Sequence, residues 1–254
     1  MQDLDHLIAR AAALLRQASY AIAMTGAGVS TPSGIPDFRS PASGLWTRVD
    51  PFSVASLFAF RLRPKSFYDW MRPLARLMLE AQPNPAHQAL SQLEAANLIR
   101  AVITQNIDGL HQKAGSRRVH EVHGHIREAT CIRCYQVVPA DNLIEEYLVN
   151  GEIPHCGCGG VLKPNVILFG EQLPLSAFTA ARQETRGCDL MLVAGSSLEV
   201  EPVADLPLMA LGHGARLVVI NYQATHLDER ADVVIHSDVA EILPRIADMA
   251  LGEC

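Results

Sequence analysis

The chain has 254 residues, which is enough for one α/β domain with a small insert or for two modest domains. It carries 21 Lys and Arg against 27 Asp and Glu, so its formal net charge is −6, and this acidity argues against direct binding of nucleic acid. Hydrophobic residues make up 49% and charged residues 19% of the chain, a composition that excludes disorder along the whole length.

The first residues and the uncharged stretches predict a cytoplasmic protein without a membrane partner. Asp3 and Asp5 stand where a secretory signal carries Lys or Arg, so no export is expected. The longest uncharged stretch, residues 20–36, is interrupted by Thr, Ser, Gly and Pro. It therefore differs from the run of about 18 apolar residues that a membrane span needs.

The first third of the chain alternates between regular patterns and loops. Apolar residues at helical spacing predict a helix over residues 4–15, and the apolar run that follows predicts a buried strand over 20–25. Residues 26–41 are rich in Gly, Pro, Ser and Thr and are predicted to form a long, functional loop. Residues 51–80 hold most of the aromatic side chains and are predicted to form a small helical module.

The middle of the chain contains a strand and the cysteine-bearing segment. Asn84-Pro85 is a cap followed by a first-turn proline, which predicts a helix that ends near residue 96. The apolar, β-branched residues 98–104 predict a buried strand, and 105–115 are predicted to be loop. Residues 131–158 then form a second small insert with a helical piece around 142–149.

Strands and helices alternate through the rest of the chain. The patterns predict strands over 166–169, 189–194, 216–221 and 232–235, and helices over 175–186, 204–211 and 239–249. Because parallel strands are joined by helical crossovers, this alternation predicts an α/β fold with a parallel sheet covered by helices on both faces.

Gly26-Ala27-Gly28 follows the first predicted strand directly, where doubly wound sheets place the phosphates of a dinucleotide and where small residues allow a close backbone approach. Thr31 stands in place of the third glycine of the dehydrogenase fingerprint, so a tight turn is the alternative interpretation. The loop continues as Gly34-Ile35-Pro36-Asp37-Phe38-Arg39, whose acidic, aromatic and guanidinium groups predict a ligand lid.

Small and amide side chains also follow three further predicted strands. These segments are Gln105-Asn106-Ile107-Asp108, Gly195-Ser196-Ser197 and the single residue Asn221. In open parallel sheets the ligand crevice lies outside the carboxyl ends of the strands. For residues 105–108 an Asx-turn is the alternative interpretation, because Asn and Asp readily cap their own backbone. Four such strand ends together favour a cofactor site.

Three histidines, His120, His123 and His125, fall within six residues, and each is a candidate base near neutral pH. If the segment is extended, His123 and His125 share one face and His120 takes the other. That arrangement also fits a metal pair or three surface histidines. The spacing does not select among these interpretations.

Four of the six cysteines form two close pairs. Cys131-Ile132-Arg133-Cys134 has the spacing at which two thiolates reach one ion, and Cys156-Gly157-Cys158 supplies a second pair. Four thiolates predict a closed, structural Zn²⁺ site, with His155 as an alternative ligand. A thioredoxin-like redox pair is disfavoured because no strand leads into a helix here. Cys188 and Cys254 have no nearby partner and are interpreted as incidental.

In chain order, these motifs resemble those of the sirtuins, a family of NAD-dependent protein deacylases. The resemblance spans nearly the whole chain and rests on Gly26-Ala27-Gly28-Val29-Ser30, Gly34-Ile35-Pro36-Asp37-Phe38-Arg39, Thr104-Gln105-Asn106-Ile107-Asp108, His123-Gly124, the cysteine pairs, Phe169-Gly170-Glu171 and Gly195-Ser196-Ser197. It implies a Rossmann-like large domain formed by residues 1–40, 82–125 and 165–254. A small domain would combine a helical insert, 41–81, with a zinc insert, 126–164.

The resemblance also implies roles for single residues. His123 becomes the favoured base, Asn106 is the second catalytic residue, and Ile167, Phe169 and Phe38 would form the walls of an apolar acyl-lysine tunnel. An extended peptide would pair near Gly170-Glu171 and residues 197–200. The implied NAD-binding residues are Gly26, Ala27, Gly28, Thr31, Asp37, Phe38, Arg39, Gln105, Ile107, Asp108, Gly195, Ser196, Ser197, Asn221 and Val239.

The reaction implied by the resemblance consumes NAD and acts on acyl-lysine proteins or peptides. Its products are nicotinamide, free lysine and O-acyl-ADP-ribose. Sirtuins that remove acidic acyl groups carry a Tyr and an Arg three positions apart on the helical module, whereas here Met71 stands three positions after Tyr68 and Arg72 follows it. Because that shift rotates the guanidinium by about 100° on a helix, acetyl or another neutral acyl group is favoured over succinyl.

Three other functions are consistent with parts of the sequence. The same fold and cofactor could serve a protein ADP-ribosyltransferase. An NAD-binding sensor without catalysis is disfavoured because Asn106, Asp108 and His123 are all present. A dehydrogenase is disfavoured by Thr31 and by the closed cysteine cluster.

Overall fold

The computed structural model describes residues 2–37, 44–47 and 49–252. Its α-helices are α1 (Gln2–Gln17), α2 (Pro51–Val54), α3 (Leu57–Leu62), α4 (Pro64–Glu80), α5 (Pro85–Ala95), α6 (Leu110–Lys113), α7 (Asp141–Asn150), α8 (Leu175–Gly187), α9 (Leu206–Gly212) and α10 (Val239–Leu251). Its strands are β1 (Ala21–Thr25), β2 (Val102–Thr104), β3 (Val119–Glu121), β4 (Gly124–Cys131), β5 (Val137–Pro139), β6 (Leu162–Val166), β7 (Leu190–Ala194), β8 (Arg216–Ile220) and β9 (Val233–Ile235). Within the described part of the chain, no helix is long and apolar enough to cross a membrane.

Six parallel strands form the main sheet, in the order β3-β2-β1-β7-β8-β9. The chain first builds outward from β1 through β2 and β3, and it then returns to the other side of β1 with β7. The direction of growth therefore reverses between β1 and β7. This sheet confirms the predicted α/β fold class.

Helices cover both faces of the main sheet. Ala21 and Ala23 of β1 belong to an apolar core shared with α1, α5 and α10. Ile22 and Met24 point to the opposite face and belong to a core shared with α8 and α9. Successive side chains of a strand alternate between faces, so every residue of β1 is buried.

A second, antiparallel sheet of order β5-β4-β6 belongs to the cysteine-bearing segment. Phe60 of α3 and Phe67 of α4 share one apolar core with Ile126 of β4 and Tyr147 of α7. The hydroxyl of Tyr147 donates to the backbone carbonyl of Tyr68, which ties α7 to α4. The predicted helical module and the cysteine-bearing segment are therefore packed on each other.

Several predicted element boundaries are wrong. β2 begins at Val102 and not at residue 98, because the N–H of Leu98 still donates to the Leu93 carbonyl at the end of α5. The predicted loop over 105–115 contains α6. The strand predicted over 166–169 ends at Val166, and the N–H groups of residues 167 and 169 donate to carbonyls outside the sheet.

Two buried histidines face each other where α5 packs on α6. The ring centroids of His87 and His111 are 4.9 Å apart. His111 Nε2 lies 2.9 Å from Thr25 Oγ1, whereas His87 Nε2 and His111 Nδ1 have no protein partner among the described residues. Burial lowers the pKa of His87 to about 4 and that of His111 to about 3. Both rings are therefore neutral near pH 7.

We expect this histidine pair to make the fold sensitive to acid. Below the unfolded-state pKa of about 6.5, the unfolded chain takes up protons that the folded rings do not bind, so the free energy of unfolding decreases as the pH falls. Each ring contributes a slope of at most about 1.4 kcal/mol per pH unit. Urea denaturation between neutral pH and pH 5 should give a shallower pH dependence for His87→Leu than for the wild-type chain.

His6 on α1 is exposed and provides the control. The pH dependence of His6→Gln should match that of the wild-type chain. If all three proteins lost stability with the same slope, the buried pair would not be the source of the acid sensitivity.

Candidate active site

The loops that follow β1 and β7 are in direct backbone contact. The N–H of Gly28 donates to the Gly195 carbonyl at 2.8 Å, and the N–H of Gly26 donates to the Ala194 carbonyl at 3.2 Å. Gly195 has a φ of +61°, and a Cβ there would lie 2.4 Å from the Val29 nitrogen. A Cβ on Gly28 would lie 2.9 Å from the Gly195 Cα. Glycine is thus required here because the two loops approach each other closely. The reason expected from the sequence was different, namely a close approach of the backbone to a ligand.

A cavity of about 1020 Å³ lies at the carboxyl edge of the main sheet. Side chains that follow β1, β2, β7 and β8 all line it, as expected for the point at which strand order reverses. The predicted site residues that line it are Ala27, Gly28, Thr31, Asp37, Gln105, Asn106, Ile107, Asp108, His123, Ile167, Phe169, Gly195, Ser196, Ser197, Asn221 and Val239. Gly26 is not among its lining residues, and Phe38 and Arg39 lie outside the described residues.

A hydrogen-bonded chain of three buried side chains forms part of the cavity wall. Asn106 Nδ2 donates to Ser30 Oγ at 2.9 Å, and the Ser30 hydroxyl donates to Asp108 Oδ2 at 2.7 Å. Burial raises the pKa of Asp108, and hydrogen bonds from the Leu110 N–H and from Ser30 counteract that shift. Ser30 was not among the predicted site residues. The sequence feature that could have identified Ser30 is its position in the loop after β1, two residues beyond Gly28.

The segment with the clustered histidines is not one extended strand. The condition under which His123 and His125 would share one face is therefore not met. β3 ends at Glu121 and β4 begins at Gly124. Gly124 has a φ of +79°, and a Cβ there would lie 1.9 Å from the Asn165 carbonyl oxygen. The chain can turn this close to β6 only because residue 124 is a glycine.

The turn sends the three histidines to different surroundings. His120 Nε2 lies 3.4 Å from Oε1 of the buried Glu184, and His125 Nε2 lies 3.9 Å from Glu128 Oε2. His123 is the member of the trio that lines the cavity. The structure therefore separates candidates that the spacing left equivalent.

A hydrogen bond fixes the tautomer of His123. Its Nδ1 lies 3.2 Å from the Gln105 carbonyl oxygen, which can only accept, so Nδ1 carries the proton in the neutral ring. The lone pair of the neutral ring is then on Nε2. The side-chain amide of Gln105 donates to Ser196 Oγ at 3.1 Å and so links the loops after β2 and β7.

One side of the cavity is apolar and includes α4 residues that were not among the predicted tunnel walls. α4 contributes Phe67, Trp70, Met71, Leu74 and Met78 to the lining. None of the described lining residues is Lys or Arg. The hydroxyl of Tyr68 donates to the Leu162 carbonyl, and Arg72 donates to the Leu148 carbonyl at 2.7 Å, so both polar groups are engaged elsewhere.

The four clustered cysteines meet in space. Their Sγ atoms all lie within 4.8 Å of one another, with 3.5 Å between Cys131 and Cys158 and 3.7 Å between Cys134 and Cys156. Tetrahedral zinc with Zn–S bonds of about 2.3 Å requires sulfur atoms about 3.8 Å apart, so the set fits. Hydrogen bonds, of which the one from the Cys134 N–H is the strongest, lower the pKa of Cys131, which favours its thiolate. Nδ1 of His155 instead donates to the Ile153 carbonyl.

Known proteins align with most of this chain. A profile of the Sir2 family matches residues 26–202. The NAD-dependent protein deacetylase of Sulfurisphaera tokodaii is 46% identical over 235 residues, which cover 92% of each chain. The NAD-dependent protein deacylase 2 of Archaeoglobus fulgidus is 42% identical over 243 residues, which cover 95% of each chain.

Solved structures share the fold. A chain from work on the structural basis for the mechanism and regulation of Sir2 enzymes has a TM-score of 0.93 and 41% identity, covering 99% of both chains. A histidine-to-alanine Sir2 variant with a deacetylated p53 peptide and 3′-O-acetyl-ADP-ribose has a TM-score of 0.88 and 39% identity, covering 93% of this chain and 96% of that one. The matched profile, the sequence identities and the shared fold show that this chain belongs to the Sir2 family.

Proposed function

We propose that this chain is an NAD-dependent protein-lysine deacetylase that forms nicotinamide, deacetylated lysine and O-acetyl-ADP-ribose. The observation that carries the proposal is a single cavity lined both by the tautomer-fixed His123 and strand-end polar groups and by apolar side chains of α4. Such a cavity suits a polar dinucleotide and a neutral acyl-lysine together. The names of the relatives support the same activity.

We propose that NAD binds along the carboxyl edge of the main sheet. When bound, NAD supplies an activated ribose that accepts the acyl group. Gln105, Ser196 and Asn221 provide polar groups at the carboxyl ends of β2, β7 and β8. Ile107 and Asp108 would line the place for nicotinamide. The proposed contacts of Phe38 and Arg39 rest on the sequence resemblance alone.

His123 and Asn106 would act on the reacting groups. Nε2 of His123 would accept a proton from a ribose hydroxyl, since Nδ1 is committed to the Gln105 carbonyl. The Ser30 hydroxyl donates to Asp108, so Ser30 can only accept from the Asn106 amide. Because the Asn106 nitrogen donates to Ser30, the orientation of the amide group is fixed. The amide oxygen of Asn106 is then held in a defined position as a hydrogen-bond acceptor. Ile167 and Phe169 would contact the acyl-lysine chain.

We propose that Cys131, Cys134, Cys156 and Cys158 hold one structural Zn²⁺. Four thiolates fill a tetrahedral shell, so no position remains for a reacting water. Cys131 lies at the end of β4 and pairs with Leu162 of β6, so the ion would fix the ends of two paired strands. Its contribution would be to the stability of this sheet.

We also propose the domain boundaries and the location given by the sequence. The large domain would comprise residues 1–40, 82–125 and 165–254, and the small domain 41–81 and 126–164. The apolar core shared by α4, β4 and α7 supports a small domain made from two inserts. Clustered cysteines that would bind a metal ion are typical of a reducing compartment such as the cytoplasm.

Mass spectrometry of an acetyl-lysine peptide incubated with the chain tests the activity and the base together. We expect loss of the acetyl mass only with NAD, and a decrease in turnover of about 10²- to 10⁴-fold for His123→Ala because the general base is removed. His120→Ala and His125→Ala are matched controls from the same segment and should retain activity. Transfer of ADP-ribose to protein without release of deacetylated lysine would favour an ADP-ribosyltransferase instead.

Comparison of acetyl- and succinyl-peptides tests the acyl specificity. The described cavity lining offers no cation for a succinyl carboxylate, so the acetyl substrate should have the higher kcat/KM. Met71→Arg places a guanidinium on the α4 side of the cavity and should reduce the difference in kcat/KM between the acetyl and succinyl substrates. Met71→Leu should leave that difference unchanged. A wild-type preference for succinyl would contradict the proposed substrate class.

Zinc analysis tests the cysteine site. The purified wild-type chain should contain one zinc per molecule, and Cys158→Ser should lose it and melt at a lower temperature because three thiolates no longer close the shell. Cys188→Ser is the control: this buried thiol donates to the Thr185 carbonyl at 3.2 Å and is not part of the cluster. Full zinc occupancy in Cys158→Ser would refute the four-cysteine site.

A further inference from the structure

A short turn after β6 forms one wall of the cavity and is held by three neighbouring segments. The N–H of Ile167 donates to the His123 carbonyl at 2.9 Å, so this turn is bonded directly to the backbone of the proposed base. The N–H of Phe169 donates to the Ala55 carbonyl at 2.9 Å, and its carbonyl accepts from Leu57 at 3.0 Å. The position of the turn therefore affects both the acyl-lysine wall and His123.

The third support is a buried lysine that the proposed mechanism does not use. The ammonium of Lys163 on β6 donates to the Val166 carbonyl at 2.8 Å and to the Pro164 carbonyl at 3.0 Å. It also lies 3.1 Å from Oε2 of Glu171, and only 9% of the Lys163 side chain is exposed. An ammonium has three protons, and these three acceptors satisfy all of them.

Glu171 closes the turn from its other end. Its Oε2 accepts from the Leu168 N–H at 3.1 Å, and its own N–H donates to the Leu168 carbonyl at 3.0 Å. Because the same carboxylate binds Lys163, one ionic contact joins β6 to the far end of the turn. Burial lowers the pKa of Lys163, and the negative charge of Glu171 counteracts the shift.

We propose that Lys163 and Glu171 are a positioning pair that holds the turn of residues 166–171 in the shape that receives the acyl-lysine peptide. The proposal rests on the proposed deacylase function. Neither side chain is assigned a contact with the reacting atoms. The pair acts through Ile167, through Phe169 and through the backbone bond to His123. The proposed NAD contacts lie at the ends of β1, β2, β7 and β8 and do not involve this turn. Loss of the pair should therefore weaken peptide binding more than it weakens NAD binding.

Steady-state kinetics on Lys163→Met tests the pair. The substitution keeps the apolar stem and removes the charge, which leaves the half-buried Glu171 without its cation. We expect the KM of an acetyl-lysine peptide to rise on the order of tenfold or more, with a smaller decrease in kcat. The Kd for ADP-ribose should stay within about twofold of the wild-type value. Glu171→Gln keeps a carbonyl acceptor for the Leu168 N–H and should show a smaller rise in KM.

Lys65→Met provides the matched control. Lys65 pairs with Asp69 on α4, but 75% of its side chain is exposed, so its loss should leave the peptide KM unchanged. Hydrogen exchange adds a readout that does not depend on activity: the N–H groups of Ile167 and Phe169 should lose protection in Lys163→Met, while those of β1 and β7 should not.

The outcomes separate the two proposals. A wild-type chain that fails to deacetylate the peptide would contradict the proposed function. An active wild-type chain whose Lys163→Met and Glu171→Gln variants keep the peptide KM would overturn the positioning pair. A variant that loses peptide and ADP-ribose binding in parallel, with protection lost throughout the main sheet, would also overturn it, because that result indicates a general role in stability.

Discussion

The close approach of the loops after β1 and β7 is the constraint on which the site depends. These strands are neighbours in the sheet, but the chain leaves them toward opposite sides, and a crevice opens at their carboxyl ends. The bond from the Gly28 N–H to the Gly195 carbonyl sets the floor of that crevice. A Cβ at residue 195 would lie 2.4 Å from the Val29 nitrogen, so any side chain there would force the two loops apart.

Hydrogen bonds with a defined direction also orient the polar side chains that line this crevice. Asp108 accepts from Ser30, which obliges Ser30 to accept from Asn106. The Gln105 carbonyl similarly obliges His123 to keep its proton on Nδ1. The Asn106 amide and the His123 ring are thus each oriented by a hydrogen-bonding partner within the protein.

The cysteine-bearing sheet and the cavity are parts of one packed unit. β6 pairs Leu162 with Cys131 at one end and Val166 with Gly124 at the other. Val166 also belongs to the apolar core that contains the α4 side chains lining the cavity. The cysteine cluster and the wall of the cavity are therefore mechanically connected, because the single strand β6 reaches from one to the other.

The sequence by itself determined the α/β class, the polar strand ends and the two cysteine pairs, because periodicity, capping and motif spacing are local properties of the chain. It also predicted sixteen of the residues that line the cavity. The spacing of the three histidines did not distinguish them, and although the resemblance favoured His123, its entry into the cavity depends on a turn at Gly124 against Asn165 of β6. The bridging role of Ser30, the end of β6 at Val166 and the apolar side supplied by α4 were likewise decided by contacts between segments far apart in the chain, which no local pattern records.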